Sequence, residues 1–588
     1  MSPMSEVTIE ALRSVAYLRP VDVQLANRLG ALANEPDARV CLALALTLRH
    51  VADGHVCLPL SELVRRPPLR LVTSSSAPNA NSSQTEALAG LTWPELGTWL
   101  EAIMASPLVG PGEGPLVVAD GHLYLRRYAE HEDALACALA QRLRPWSEGE
   151  SGAAQPGGDD EETRLLMNRL FTQQRANEPD LQRAAAEKAL AGPLTVITGG
   201  PGTGKTYTVV NVLALLVSER LRAKLPPPRI TLVAPTGKAA ARLGESIQAG
   251  KARLRNKAVS DDVLQHIPEA PSTIHRALGV MGGNLQNLRH TAENPLATDV
   301  LLVDEASMVD LSLMRRLVDA CPADARLILL GDKDQLASVE AGAVLGQLAE
   351  AKSAQLEACV AQLHTSHRFR DVPGIEDLAR AVNAGDSAAA LAVLEDATRP
   401  EVTLHVLPKQ GLGEAWVAQL LGARGLGAYL TCIAQGEPDV ATLERHFANF
   451  RILCPLRRGT EGLQAVTLLV EETLRKDGRV KPEGDGYAGR PVLISTNDYG
   501  VTLFNGDTGL VLPDPRGESG PLATFSSGDG QTIRRFALSR LPDHETAFAM
   551  TVHKAQGSEM EHVAIVLPRE ASPVLTRELL YTAITRAK

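Results

Sequence analysis

The chain has 588 residues, 44% hydrophobic and 22% charged, with a formal net charge of −10. That length predicts about four domains of roughly 150 residues, each able to bury its own core. The acidic balance excludes a general nucleic-acid coat, though not nucleic acid in a narrow basic channel. An aromatic content of 3% excludes an extended base-stacking platform.

The N-terminal MSPMSEVTIEALRSV carries acids and no apolar signal core. No apolar run reaches the length of about 18 residues that crosses a membrane, so a cytoplasmic protein with no membrane partner is expected. The seven cysteines, Cys41, Cys57, Cys137, Cys321, Cys359, Cys432 and Cys454, form no C-x-x-C pair and read as reduced core residues. Residues 1–146 read as a mainly helical domain without catalytic motifs, assigned to partner binding. Within it Val40–Val51 (VCLALALTLRHV) predicts a buried helix, and Thr73–Gln84 a polar loop. Residues 147–163, Gly-rich and acidic, read as a flexible linker.

Beyond the linker, short apolar strands alternate with helical segments. Leu194–Thr198, Ile230–Ala234, Val300–Val303 and Leu327–Leu330 have the continuous apolar character of strands buried on both faces of a parallel sheet. The expected class is α/β, with a first lobe over 164–355 and a second over 356–588. Within 489–541, short strands separated by Gly, Asn, Asp and Pro turns predict a small SH3-like antiparallel barrel inserted in the second lobe.

Gly199, Gly200, Pro201, Gly202, Thr203, Gly204, Lys205 and Thr206 spell GGPGTGKT between a strand and a helical run. Glycines let backbone N–H groups close on phosphates, and the helix N-terminus adds partial positive charge. Lys205 is expected on the β- and γ-phosphates of ATP, and Thr206 on Mg²⁺. A dinucleotide loop has no use for a Lys at this place. In VLLVDEAS, Asp304 ends a buried strand and is the second Mg²⁺ candidate, while Glu305 is placed to orient the attacking water. GDKDQLASVEAG follows the last strand; Gln335 is expected to sense the γ-phosphate.

These segments, with APTGKAAARL (Ala234–Leu243), resemble the superfamily 1 helicases. PSTIHRALG (Pro271–Gly279), SHRF (Ser366–Phe369), RILCPLRRGTEG (Arg451–Gly462), LFNGDTG (Leu503–Gly509), MTVHKAQGSEM (Met550–Met560) and TRELLYTAITRAK (Thr576–Lys588) narrow the resemblance to RecD subunits of the RecBCD enzyme, exonuclease V. It covers the chain from about Asp180 onward, and more weakly the N-terminal region. It implies two RecA-like lobes and an ATP-dependent 5′-to-3′ DNA helicase of the 1B type. The implied setting is double-strand break repair by homologous recombination, on DNA ends, in a heterotrimer with RecB-like nuclease-helicase and RecC-like scaffold subunits. In that pattern Arg368 and Arg586 read the γ-phosphate across a closing cleft, suited by their planar forks. Gln182 reads adenine and Glu559 meets the ribose. Pro235, Thr236, Lys238, Thr273, His275, Asn505, Thr551, His553, Lys554 and Gln556 are the expected DNA contacts, holding phosphates without reading sequence. His367 stands where relatives carry an aromatic. Two other readings stay open: a single-strand RNA or DNA translocase, and a regulatory subunit whose ATP site only switches conformation.

Overall fold

A computed structural model describes residues 6–69, 88, 90–110, 114–143, 161–171, 180–280, 287–338, 340–409, 411–422, 425–435, 439–478, 486–498, 500–517, 520–526 and 532–588. The expected polar loop at 73–84 and nearly all of the expected linker lie outside these residues. The last three linker positions instead begin a helix, Glu161–Leu170.

In the N-terminal region the predicted buried helix spans Ala38–Ala52, with Val40 and Leu42 to Thr47 buried. Trp99 packs in the same core, fully buried and stacked on Trp93 at 6.2 Å. The region also holds a small antiparallel sheet that the helical reading missed: β1 (Cys57–Pro59), β2 (Leu116–Ala119) and β3 (His122–Leu125), in the order β1-β3-β2. Asp120 and Gly121 link β2 to β3 with φ of 48° and 76°, the left-handed pair that a two-residue hairpin turn requires.

The helix Arg126–Arg142 ends this region and docks on the first lobe. Tyr128, Leu135 and Leu139 share one core with Leu311, Met314 and Leu317 of the helix Leu311–Asp319. Arg142, 5% exposed, donates through Nη2 to the carbonyls of Cys321 at 2.7 Å and Pro322 at 2.9 Å. The N-terminal region is therefore joined to the first lobe by a buried seam as well as by the chain.

The four predicted first-lobe strands all form, as β4 (Leu194–Gly199), β5 (Ile230–Ala234), β7 (Val300–Val303) and β8 (Arg326–Gly331). They are buried because helices cover both faces. The helix Lys205–Arg222 contributes Val209 to Val217 to one core, and Leu311–Asp319 lies in the core of the opposite face. With β6 (Ser272–Thr273) and β9 (Val360–Leu363) they make a six-stranded parallel sheet, β6-β5-β7-β8-β4-β9. β9 pairs with β4, so the first lobe continues past the expected boundary at 355, and the crossover lies after Leu363.

The second lobe is a three-stranded parallel sheet, β16-β10-β17, from β10 (Phe450–Cys454), β16 (Ala549–Thr551) and β17 (His562–Ile565). Between β10 and β16 the chain forms a five-stranded antiparallel sheet: β11 (Pro491–Ile494), β12 (Thr508–Leu512), β13 (Leu522–Ser526), β14 (Ile533–Ala537) and β15 (His544–Thr546). Its order is β14-β13-β12-β11-β15, around a core of Val492, Ile494, Val511 and Phe525. β15 lies beyond the expected end at 541 because it pairs with β11 before leading into β16.

The cysteines need correcting. All seven are free thiols, but only Cys321 and Cys454 are buried, and Cys137 is exposed. Among the described residues, no helix is long and apolar enough to cross a membrane.

Candidate active site

The parallel sheet delivers the motifs to one edge. β4 ends in the GGPGTGKT loop, β5 in Ala234, β7 just before Asp304 and β8 just before Asp332, the carboxyl edge where open α/β sheets bind ligands. The loop depends on two left-handed glycines, Gly202 at φ 75° and Gly204 at φ 86°. Neither has room for a side chain. A Cβ on Gly202 would lie 2.4 Å from the Arg368 Cβ, and one on Gly204 would lie 2.2 Å from Gln182 Nε2. Thr203 Oγ1 donates to the Gly200 carbonyl at 2.9 Å, and Lys205 Nζ donates to the Gly199 carbonyl at 2.6 Å and that of Gly200 at 3.1 Å. Gln182 Nε2 donates to the Thr203 carbonyl at 3.0 Å, which places this amide against the phosphate loop.

A cavity of about 190 Å³ opens beside the loop. Lys205, Thr206, Asp304 and Glu305 line it from the first lobe, Gln335 from the loop after β8, and Arg586 from the second lobe. Glu305 has φ 51°, a left-handed backbone rare for a residue with a side chain and typical of strained functional sites. Burial and the neighbouring Glu305 push the Asp304 carboxyl up to about 6. A cation would relieve this repulsion, and Thr206 and Asp304, which line the same cavity, offer oxygen donors of the kind that could hold Mg²⁺. Among the described residues no group of three or more His, Cys, Asp or Glu gathers as a metal cluster.

The two arginines arrive by different routes. Arg586 is 2% exposed. Its Nε donates to the Thr582 carbonyl at 3.1 Å and its Nη1 to that of Ser558 at 3.3 Å. Arg368, by contrast, sits on the crossover and is fixed to the phosphate loop itself. His367 N donates to the Gly202 carbonyl at 2.9 Å, and Ser366 Oγ to that of Pro201 at 2.9 Å. So Arg368 reaches the cavity from the crossover between the lobes, with its neighbours held on the phosphate loop. Burial lowers it to about 10, with Arg242 and Arg586 adding to the shift, and burial lowers Arg586 as well.

Residues that the motifs did not single out complete the site. Arg242 lines the cavity, and Tyr581 ties the lobes together. The Tyr581 hydroxyl donates to Asp332 Oδ2 at 3.1 Å, and the same oxygen accepts from Gln335 Nε2 at 2.9 Å. Burial and Asp332 push the Tyr581 phenol upward, so it stays protonated and donates. Beside it, Leu336 N donates to Thr582 Oγ1 at 2.8 Å and Gln556 Nε2 to the Leu336 carbonyl at 2.9 Å. Arg242 was legible only as a residue on the helix after β5, which lies beside β7 and its Asp304. Tyr581 was legible only as a member of the last motif.

The residues expected to contact DNA lie on several separate elements of the two lobes. Thr236 and Thr273 cap their helices, accepting from Ala239 N and Arg276 N at 3.2 Å each; Pro235 precedes the first cap. Burial lowers Lys238 to about 8, with Arg451 and Arg242 adding to the shift. His275 and His553 are half-buried and lowered by burial. Lys554 Nζ meets Glu545 Oε1 at 2.7 Å. Asn505 is exposed in its turn, and Thr551 is 7% exposed. Gln556 is 8% exposed, and its Nε2 donates across the lobes to the Leu336 carbonyl. Glu559, expected at the ribose, contacts Arg368 and Arg242.

A phosphate loop on one parallel sheet, with a buried arginine from a second parallel lobe, defines a two-lobed P-loop motor of the superfamily 1 helicase class. Residues 15–124 match the family described as RecBCD enzyme subunit RecD, N-terminal domain; residues 182–341 match the AAA domain and 546–588 the UvrD-like helicase C-terminal domain. The RecBCD enzyme subunit RecD of Mycolicibacterium smegmatis is 40% identical over 575 residues, covering 97% of this chain and 92% of that one. That of Haemophilus influenzae is 36% identical, covering 71% and 68%. The ATP-dependent RecD2 DNA helicase of Deinococcus radiodurans is 32% identical, covering 69% and 48%. The chain belongs to the RecD family.

Proposed function

We propose that this chain is the ATP-dependent DNA helicase subunit of a RecBCD-type complex, moving 5′ to 3′ on DNA ends in double-strand break repair by homologous recombination. The observation that carries the reading is the shared cavity: Lys205, Thr206, Asp304 and Glu305 face the buried Arg586 across the lobes. In this reading Lys205 and the loop N–H groups hold the phosphates, and Gln182 reads the base. Thr206 and Asp304 hold Mg²⁺, which neutralises phosphate charge. Glu305 takes the proton from water as its oxygen bonds to the γ-phosphorus and the bond to ADP breaks. Arg586 and Arg368 stabilise the charge on the transferred group, and Gln335 reports its presence through Asp332. Opening and closing of the cleft then alternates the grip on the DNA backbone by Pro235, Thr236, Lys238, Thr273, His275, Asn505, Thr551, His553, Lys554 and Gln556. Glu559 is assigned to the ribose as well as to Arg368.

RecB-like and RecC-like partners follow from the family, with residues 1–146 as the docking domain and a cytoplasmic setting. The antiparallel sheet from β11 to β15 is read as the SH3-like insertion. The deciding experiment is strand separation by the full chain on duplexes with a 5′ or a 3′ overhang. Unwinding of the 5′-tailed substrate alone is expected, abolished by Lys205→Gln. Equal or reversed tail preference would overturn the direction, and normal unwinding by the Gln variant would overturn the ATP site.

A further inference from the structure

Arg242 belongs to none of the roles above, yet it lies in the cavity. Its helix, Gly237–Asn256, starts at the carboxyl end of β5 and places Arg242 along the same wall as Lys205 and Thr206. The guanidinium meets Glu559 of the second lobe, and Nη1 donates to the Gly557 carbonyl at 3.3 Å. Its side chain lines the cavity and keeps 36% of its surface exposed. Burial lowers its pKa and Arg586 presses the same way, while Glu305 and Asp304 oppose. Glu559 serves Arg368 as well, with Lys588 Nζ 3.5 Å from its other oxygen. One carboxylate thus answers two guanidinium groups and an ammonium. That shortage of negative charge suits an incoming group with several anionic oxygens, and the planar fork of Arg suits phosphate.

We propose that Arg242 is a ligand of the terminal phosphate of the bound nucleoside triphosphate, taking a phosphate oxygen in exchange for Glu559. The proposal rests on the reading of the cavity as the nucleotide site. It makes the third phosphate felt in the segment Met550–Met560, because releasing Glu559 and Gly557 from Arg242 loosens the first lobe from the stretch that carries Thr551, His553 and Lys554. A nucleoside diphosphate lacks the oxygens that compete for the guanidinium and leaves the contact with Glu559 in place.

The test is calorimetric titration of the full chain, with Mg²⁺, by the non-hydrolysable triphosphate AMP-PNP and separately by ADP. Arg242→Ala is expected to weaken AMP-PNP at least tenfold and ADP less than twofold. Arg242→Lys, which keeps stem and charge but loses the fork, is expected between wild type and alanine, and it carries the comparison if the alanine chain does not fold. Lys205→Ala serves as the control that weakens both nucleotides. Unchanged AMP-PNP binding in Arg242→Ala overturns the proposal, and so does an equal loss for the two nucleotides, which marks a structural role. Failure of the wild-type chain to bind either nucleotide overturns the reading of the cavity, and the proposal with it.

Discussion

The tie between Tyr581 and Asp332 invites a one-atom perturbation. Tyr581→Phe removes the hydroxyl and leaves the ring among Phe369, Ile375 and Ile584. Asp332 keeps two donors, Gln335 Nε2 at 2.9 Å and the Asp334 N–H at 3.1 Å. It is therefore not orphaned, and the loss should fall at the low end of the range for a hydrogen bond to a carboxylate, about 1.5 kcal/mol. That energy favours closed lobes, with Gln335 held at the cavity and Arg586, on the same C-terminal segment as Tyr581, facing it. Spent on the closed state alone, about 1.5 kcal/mol is roughly a tenfold loss in turnover. The assay is steady-state ATP hydrolysis with saturating single-stranded DNA, with kcat and KM determined separately. We expect kcat to fall about tenfold and KM for ATP to move less than twofold. Because Tyr581 acts through the Asp332–Gln335 pair, Tyr581→Phe combined with Gln335→Ala should be little slower than Gln335→Ala alone. If the two losses multiply instead, Tyr581 does not work through Gln335 and the reasoning fails.

Gly202→Ala should weaken AMP-PNP and ADP at least tenfold, read by calorimetry, because the new methyl meets the Arg368 backbone and Cβ at a left-handed position; wild-type affinity would contradict the docking of Arg368 on the loop. Arg142→Ala should cost about 2–4 kcal/mol by removing two buried charge-assisted bonds, seen as a lower thermal midpoint and faster proteolytic release of the N-terminal region. His50, lowered to about 4 by burial with help from His55 and Arg49, gives a pH dependence. The unfolded chain binds this proton near pH 6.5 and the folded chain only near 4, so stability is lost as pH falls through that window. Between pH 7 and 5 the loss should approach about 2 kcal/mol at most, measured as a shift in the urea midpoint that His50→Leu flattens.

What the sequence made legible follows from which interactions are local. The four strands of the first lobe are continuous apolar runs because helices cover both faces, so four or five residues suffice to recognise each. β6, two residues long, and β9, with alternating burial at the sheet edge, carry too little pattern, and missing β9 placed the lobe boundary too early. The sheet β1-β3-β2 was hidden by strands of three or four residues, although Asp120-Gly121 between two apolar runs is a hairpin signal. The helix Arg126–Arg142 was recognisable as a helix, but an apolar stripe does not name the core it enters. The phosphate-loop motif was legible because it is eight consecutive residues, and the strand and helix expected on either side of it both form. Arg242 and Tyr581 were not, because their importance is set by neighbours three hundred and two hundred and fifty positions away.

The electrostatics of the cleft explain how an acidic chain can serve polyanions. Its net charge of −10 is not spread evenly: Lys205, Arg242, Arg368 and Arg586 converge on one small cavity. Each guanidinium there is lowered first by burial, so the site holds positive charge at a cost that phosphate oxygens remove. Four acids lie among these cations: Asp304 and Glu305 line the same cavity, Asp332 accepts from Tyr581 and Gln335, and Glu559 lies between Arg242 and Arg368. On the proposed reading of the cavity, these acids are the groups whose partners change when a triphosphate enters. A substitution that neutralises one of them should alter nucleotide affinity and lobe coupling together, whereas neutralising the mostly exposed Glu10, paired with Arg13, should alter neither.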